Sequence, residues 1–147
     1  MNEFDLSLKT TIDKLLFDLA TLHGYGFFDL DGVYQSASKV ADTAPAICWT
    51  FLSSLNSAKD PRGSLVFEAG AKTTADLSQY LSLEVASRVK DFFSENEDFE
   101  VKDYRGVDAG TEVLGRVFIK SAMLVPPVFD AASGFRMVNL EAQVLRF

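Results

Sequence analysis

Two stretches near the end of the chain decide its architecture. Residues 111–125 read Thr-Glu-Val-Leu-Gly-Arg-Val-Phe-Ile-Lys-Ser-Ala-Met-Leu-Val, and residues 134–147 read Gly-Phe-Arg-Met-Val-Asn-Leu-Glu-Ala-Gln-Val-Leu-Arg-Phe. In the second, Val138, Leu140, Ala142 and Val144 alternate with Asn139, Glu141 and Gln143. That is the period-two pattern of a strand buried on one face. Between the stretches stands Pro126-Pro127-Val128-Phe129-Asp130-Ala131-Ala132-Ser133, whose prolines lack the N–H that a ladder needs. The expectation is a long antiparallel hairpin that stays apolar to Phe147. Its second face, with Phe135, Met137, Leu145 and Phe147, is more apolar than solvent favours. We therefore expect this face, together with Phe129 in the connection, to meet a neighbouring subunit.

Working towards the N-terminus, residues 98–110 predict a short strand (99–104) and a turn (105–110). Before them the period changes. Leu77, Tyr80, Leu81, Val85, Val89, Phe92 and Phe93 lie at helical spacing after the capping candidates Thr73, Thr74 and Asp76, which predicts a helix to about residue 94. Residues 46–55 and 64–71 read as strands separated by the turn Asp60-Pro61-Arg62-Gly63. In the first of these, Ile47, Trp49 and Phe51 share a face. Residues 36–45 read as a connection. Leu8, Ile12, Leu15, Leu16, Leu19 and Leu22 predict an amphipathic helix over about 5–23, ended by Gly24 and Gly26. Residues 25–35, with Asp31-Gly32 inside, read as a short hairpin. The fold class expected is α+β: an antiparallel or mixed sheet, two helices mainly on one face, and a long C-terminal hairpin, in one domain over 1–147.

Composition narrows the functional classes. The chain has 147 residues, a formal net charge of −7, thirteen Phe, one Cys and one His. The acidic balance argues against phosphate-backbone binding, which needs clustered Lys and Arg, and suits a surface that nucleic acid passes without sticking. One cysteine excludes an internal disulfide and fits a reducing compartment. Cys48, inside an apolar run, reads as a small buried hydrophobe. No apolar run is long enough for a bilayer, and the acidic start Met1-Asn2-Glu3-Phe4-Asp5 does not read as a signal peptide. His23, at the end of a helix, reads as a capping or surface residue. Asp91, Glu95, Glu97, Asp98, Glu100 and Asp103 form an acidic cluster interrupted by phenylalanines. Without a calcium-loop pattern it reads as a solvated face. The sharper reading has Glu95, Glu97, Asp98 and Glu100 lining a channel. No cofactor and no metal site are expected.

Two resemblances bear on function. Phe27-Phe28-Asp29-Leu30-Asp31-Gly32-Val33 resembles the first motif of the haloacid dehalogenase phosphatases. That resemblance implies Asp29 as nucleophile, Asp31 as acid/base, and both as Mg²⁺ ligands. It covers about seven residues, and no later Gly-Asp segment completes the metal site. The order of elements along most of the chain resembles the tail terminator (tail-completion, neck) proteins of long-tailed bacteriophages. An N-terminal helix and spacer are followed by a strand opening with Pro45-Ala46-Ile47. Then come a strand-to-helix unit, Ser64-Leu65-Val66-Phe67-Glu68 to Leu83-Glu84-Val85-Ala86-Ser87-Arg88-Val89, and a paired long-strand ending. This likeness implies a non-enzymatic virion protein, assembled in the host cytoplasm. It would form a ring, typically a hexamer, on the tail tube protein, stop tube polymerisation and face the head-tail connector protein, with DNA passing unbound. A small α+β interaction module of another kind is the third reading.

Overall fold

Helix α1 spans Glu3–His23, and its buried stripe holds Phe4, Leu8, Ile12, Leu16, Leu19 and Ala20. Glu3 and Asp5 occupy its first turn, where the helix dipole favours negative charge. Gly24, at φ 72°, ends it. The Gly24 N–H donates to the Thr21 carbonyl (3.2 Å) and the Tyr25 N–H to the Ala20 carbonyl (2.8 Å), the two bonds of a Schellman cap. Glycine accepts that left-handed φ because it has no Cβ.

This arrangement comes from a computed structural model, which describes residues 3–29, 45–57, 59–73, 80–104, 109–129 and 134–147. After α1 come β1 (Gly26–Asp29), β2 (Ala46–Leu55), β3 (Arg62–Thr73), helix α2 (Tyr80–Glu95), β4 (Asp98–Lys102), β5 (Val113–Leu124), β6 (Val128–Phe129) and β7 (Gly134–Arg146). The strands form one mixed sheet in the order β1-β2-β3-β7-β5-β4, with β6 also on β7. The fold is α+β, and the expected C-terminal hairpin is present: β5 and β7 pair antiparallel from Gly115↔Arg146 to Leu124↔Val138. β7 is central, because β3 pairs with its other edge from Arg62↔Leu145 to Thr73↔Gly134. Where β5 leaves β7, the two residues of β6 take up the same edge, Val128 opposite Phe135 and Phe129 opposite Gly134. Alternation in so short a piece is invisible, and the sequence reading placed no strand there.

Of the hairpin expected over residues 25–35, only the first arm is described, as β1; residues 30–35 lie outside the described residues. β1 pairs with β2, and in parallel, Gly26↔Ala46 to Asp29↔Trp49. Parallel neighbours need a crossover of a dozen or more residues, which the stretch between them supplies in length. The Asp31-Gly32 turn lies outside the described residues, as do Leu77, Thr74, Asp76 and most of the 105–110 turn.

Both helices cover the same face of the sheet. Ile47 and Trp49 of β2, Leu65, Phe67, Ala69 and Ala71 of β3, Val117 of β5, and Val138, Leu140, Ala142 and Val144 of β7 share one core with the two helices. Phe93 of α2 is its hub, with ring centroids 5.5 Å from Phe67, 5.0 Å from Phe92 and 6.2 Å from Phe99. The buried stripe of α2 is Ser82, Val85, Ala86, Val89 and Phe93. Tyr80 and Leu81, expected on that stripe, are instead exposed. Among the described residues the helix begins at Tyr80; Ser82, in the same turn, is buried, so Tyr80 and Leu81 lie off the buried stripe.

The sheet curls until both of its outer strands reach α1, which packs on β1 and β2 at one end and on β4 at the other. Thr11 closes the β4 side: its hydroxyl accepts from the Lys102 N–H (3.1 Å) and lies 3.3 Å from the Lys102 carbonyl. A helix hydroxyl thus caps part of an edge strand that would otherwise offer bare backbone groups.

Candidate functional site

Three places collect the residues singled out by sequence. The first is the seam where β1 and the end of β4 converge on α1. Lys9 of α1 donates to Asp29 at the end of β1 and stands 3.6 Å from Asp13, one helical turn on. The Trp49 indole N–H donates to Asp13 (2.6 Å), and the Lys9 ammonium sits 4.8 Å from the Trp49 ring centroid. These polar links tie α1 to the parallel end of the sheet, and the half-buried setting strengthens each of them. Beside them opens a cleft of about 380 Å³ lined by Thr10, Asp13, Lys14, Phe17, Phe27, Asp29 and Tyr104. Phe17 and Phe27 meet edge to face at 5.9 Å.

Asp29 therefore ends a parallel strand, as the first aspartate of the phosphatase motif would. The resemblance stops there. β1 is an edge strand of four residues, its pairing with β2 is the single parallel ladder among the described residues, and the other ladders are antiparallel. Among the described residues, the succession of parallel strands on which that family builds its site has no counterpart. Asp31 lies outside the described residues. Among the described residues no three His, Cys, Asp or Glu side chains cluster to hold a metal.

The second place is the hairpin face expected to meet a neighbour. Here the structure corrects the sequence reading in part. Met137 is 8% exposed and packs with Phe28, Ala46 and Cys48 in a second cluster, which Phe135 adjoins. The Met137 and Cys48 sulfurs lie 3.7 Å apart. Gly70 makes this packing possible: a Cβ there would stand 2.3 Å from the Arg136 carbonyl oxygen and 2.7 Å from the Met137 Cα. Phe135 and Met137 thus serve the chain's own fold. Leu145 is half-buried beside Arg62 and Phe118, and Phe147 is 71% exposed. The Phe129 backbone pairs with Gly134, and its side chain lies outside the described set. Burial pushes the Cys48 thiol up to about 12, with Lys72 acting weakly the other way. It is an inert, protonated core group, as its apolar neighbours in sequence implied.

The third place is the acidic corner between α2 and β4. Glu95, Glu97 and Asp98 are exposed and Glu100 is half-buried. Arg116 of β5 answers part of this charge: its Nε donates to Asp98 (3.0 Å), and its guanidinium lies 4.0 Å from Glu100. Sequence reasoning missed Arg116 because cross-strand register, Glu100↔Arg116, brings it there. His23 is exposed, as expected, with its Nδ1 3.2 Å from Arg88 of α2 and its ring stacked on Tyr25. The Glu84 carboxylate beside Arg88 holds that guanidinium's pKa above its ordinary value.

No described helix is long and apolar enough to cross a membrane. Comparison with protein-family models and with characterised proteins finds no match.

Proposed function

We propose that this chain is a structural subunit that assembles with copies of itself into a ring, in the manner of a phage tail terminator. In this reading it acts through shape and surface, without chemistry and without a cofactor. The observation that carries it is where the exposed large apolar side chains lie. Leu52, Leu55, Met123, Val128 and Phe147 stand on strands and strand ends, from 50% to 74% exposed, and Leu6, Phe17, Leu22, Tyr80, Leu81 and Leu83 add exposed apolar surface on the two helices. They surround a scaffold in which the long hairpin is the spine. Apolar surface of that kind is usual where protein meets protein. The order of elements, helix, strand pair, helix, strand and hairpin, is also the one on which the resemblance to tail terminators rests.

The acidic corner adds to this reading. Repeated around a ring, the net charge of −7 per chain, Glu95 and Glu97 included, would repel a passing DNA duplex instead of retaining it. The partners in this reading are further copies, the tail tube protein and the head-tail connector protein, and the place of action is the virion neck after assembly in the host cytoplasm. Negative-stain electron microscopy and light scattering on the purified full chain test the proposal. Rings, with a mass that is a fixed multiple of the 16.2 kDa chain, are expected. A protein that stays monomeric when concentrated and shows no rings overturns it.

A further inference from the structure

We infer that the helix-covered face of the sheet holds a binding site for a small oxyanion, a phosphate or a carboxylate, between Thr73 of β3 and Arg136 of β7. The site is separate from assembly and does not rest on it. Buried polar side-chain groups are hydrogen-bonded in nearly all folded proteins, so each exception calls for an explanation, an ion among them. Among the described residues four buried side-chain polar atoms have no partner: Ser7 Oγ, Thr73 Oγ1, Arg88 Nε and Arg136 Nε. The Arg88 guanidinium is already held by Glu84 (3.1 Å), and Ser7 lies apart on α1. Thr73 and Arg136 are neighbours. The ladder sets Thr73 opposite Gly134 and Ala71 opposite Arg136, so the two are a diagonal pair about 7–8 Å apart, within reach of a long side chain. Alternation puts both on the face of Ala71 and Val138, which belong to the main core. Gly134 puts no side chain opposite Thr73.

Thr73 is 3% exposed and Arg136 is half-buried. The described carboxylates around them are turned away or already held. Glu68 and Glu141 project from β3 and β7 to the opposite face, alternating with the core residues Phe67 and Leu140. β2, β5 and β6 carry no carboxylate. Glu84, the first acid of α2, is held by Arg88, Asp29 of β1 by Lys9, and Asp98 of β4 by Arg116. Lys72, one residue before Thr73, adds a second cation at this end of β3; it is 3% exposed, and its ammonium stands 5.7 Å from the Phe28 ring centroid on the other face. Glu68, on the face of Lys72, is four residues back, about 13 Å along the strand. Water would satisfy the hydrogen bonds of Thr73 and Arg136 and leave the charge unanswered. An oxyanion does both, accepting from the Arg136 Nε and from the Thr73 hydroxyl, and bonds to an ionised partner are the stronger kind.

Thermal melts and calorimetric titrations of the full chain test this with sodium phosphate and, separately, sodium acetate, the ionic strength being held constant with sodium chloride. The parent's melting temperature should rise with the logarithm of anion concentration, as a ligand of the folded state requires. Thr73→Val keeps the shape and removes the hydroxyl; Arg136→Met keeps the length and removes the charge. Each should raise the dissociation constant at least about tenfold. Without added anion, Thr73→Val should melt no lower than the parent, because it removes a buried hydroxyl that has no partner. If Arg136→Met does not fold, Thr73→Val decides the matter. A response to either anion that these variants lose supports the site, and the stronger response names its class. A parent that responds to neither anion beyond chloride overturns the proposal, and so does a response that both variants keep. Asp76 and Asp130 lie outside the described residues. A response that Asp76→Asn or Asp130→Asn creates where the parent has none would show that the chain's own carboxylate takes the place, and would overturn it too.

Discussion

The two faces of the sheet are built from the same strands and behave oppositely. The inner face carries both helices and a continuous core running from Ile47 through Phe67 and Phe93 to Val117. The outer face buries one corner, Phe28, Ala46, Cys48 and Met137, and leaves Ser64, Glu141 and Gln143 in solvent. Alternation tells a reader that a strand has two faces. Only the topology tells which residues of the less apolar face are covered. Met137 and Glu141 point the same way from β7, on either side of Asn139, yet one is 8% exposed and the other is open to solvent.

The largest effect should come from the hub of the inner face. Phe93→Ala removes a fully buried ring in contact with Phe67, Phe92 and Phe99. It should cost about 3–5 kcal/mol in denaturant unfolding. A loss below about 1 kcal/mol would mean that the inner face is not the main core.

Met137→Ala sharpens the contrast from the other side. The second cluster is smaller and its methionine not wholly enclosed, so about 2–3 kcal/mol is expected. A change confined to self-association, with an unaltered melt, would return Met137 to the role of interface residue.

The same cluster sets a pH dependence. The folded Cys48 thiol stays protonated up to about 12, against an ordinary value of 9.0. In the unfolded chain it ionises earlier. Between those values the unfolded state therefore holds fewer protons than the folded one, and stability falls as pH rises through that window. Relative to the parent, Cys48→Ala should show a flatter decline of stability above pH 9. An identical decline in both proteins would place the thiol outside the core. At neutral pH, native Cys48 should resist alkylation until the chain unfolds.

The smallest effect belongs to the open face. Ser64→Ala, at an exposed position opposite Gln143, should change the unfolding free energy of dilute protein by less than about 0.5 kcal/mol. A larger loss would show that this half of the outer face is covered too.

How much of this was legible differs from element to element. β2 spans Ala46–Leu55, the boundaries that its apolar run and flanking turn residues predict. α1 and its glycine stop follow from leucine spacing and from the dihedral that Gly24 permits. The parallel pairing of β1 with β2 was not legible because a four-residue strand has too few residues to show a period, and its partner in that ladder comes seventeen or more positions later in sequence. The exposure of Tyr80 was missed because helical spacing among large apolar residues took no account of the small Ser82, which is the residue of that turn that is buried. The seam of Lys9, Asp13, Asp29 and Trp49 was not legible as a group. Its members come from three elements, and only the Lys9–Asp13 spacing of one turn is local. Arg116 was missed at the acidic corner for the same reason.

The sequence by itself determined the local decisions: where helices start and stop, which residues alternate, where proline and glycine turn the chain, and that the protein carries excess negative charge. These follow from backbone sterics and from periods of 2 and 3.6, which neighbouring residues alone can express. Tertiary structure decided that β7 lies in the middle and that β1 runs parallel at the edge. It also closed α1 over the seam between the two outer strands and buried Met137 while leaving Glu141 open. Each of those is a choice among distant partners, made where burying the most apolar area while satisfying the backbone polar groups left one arrangement, and no short window of residues contains that comparison.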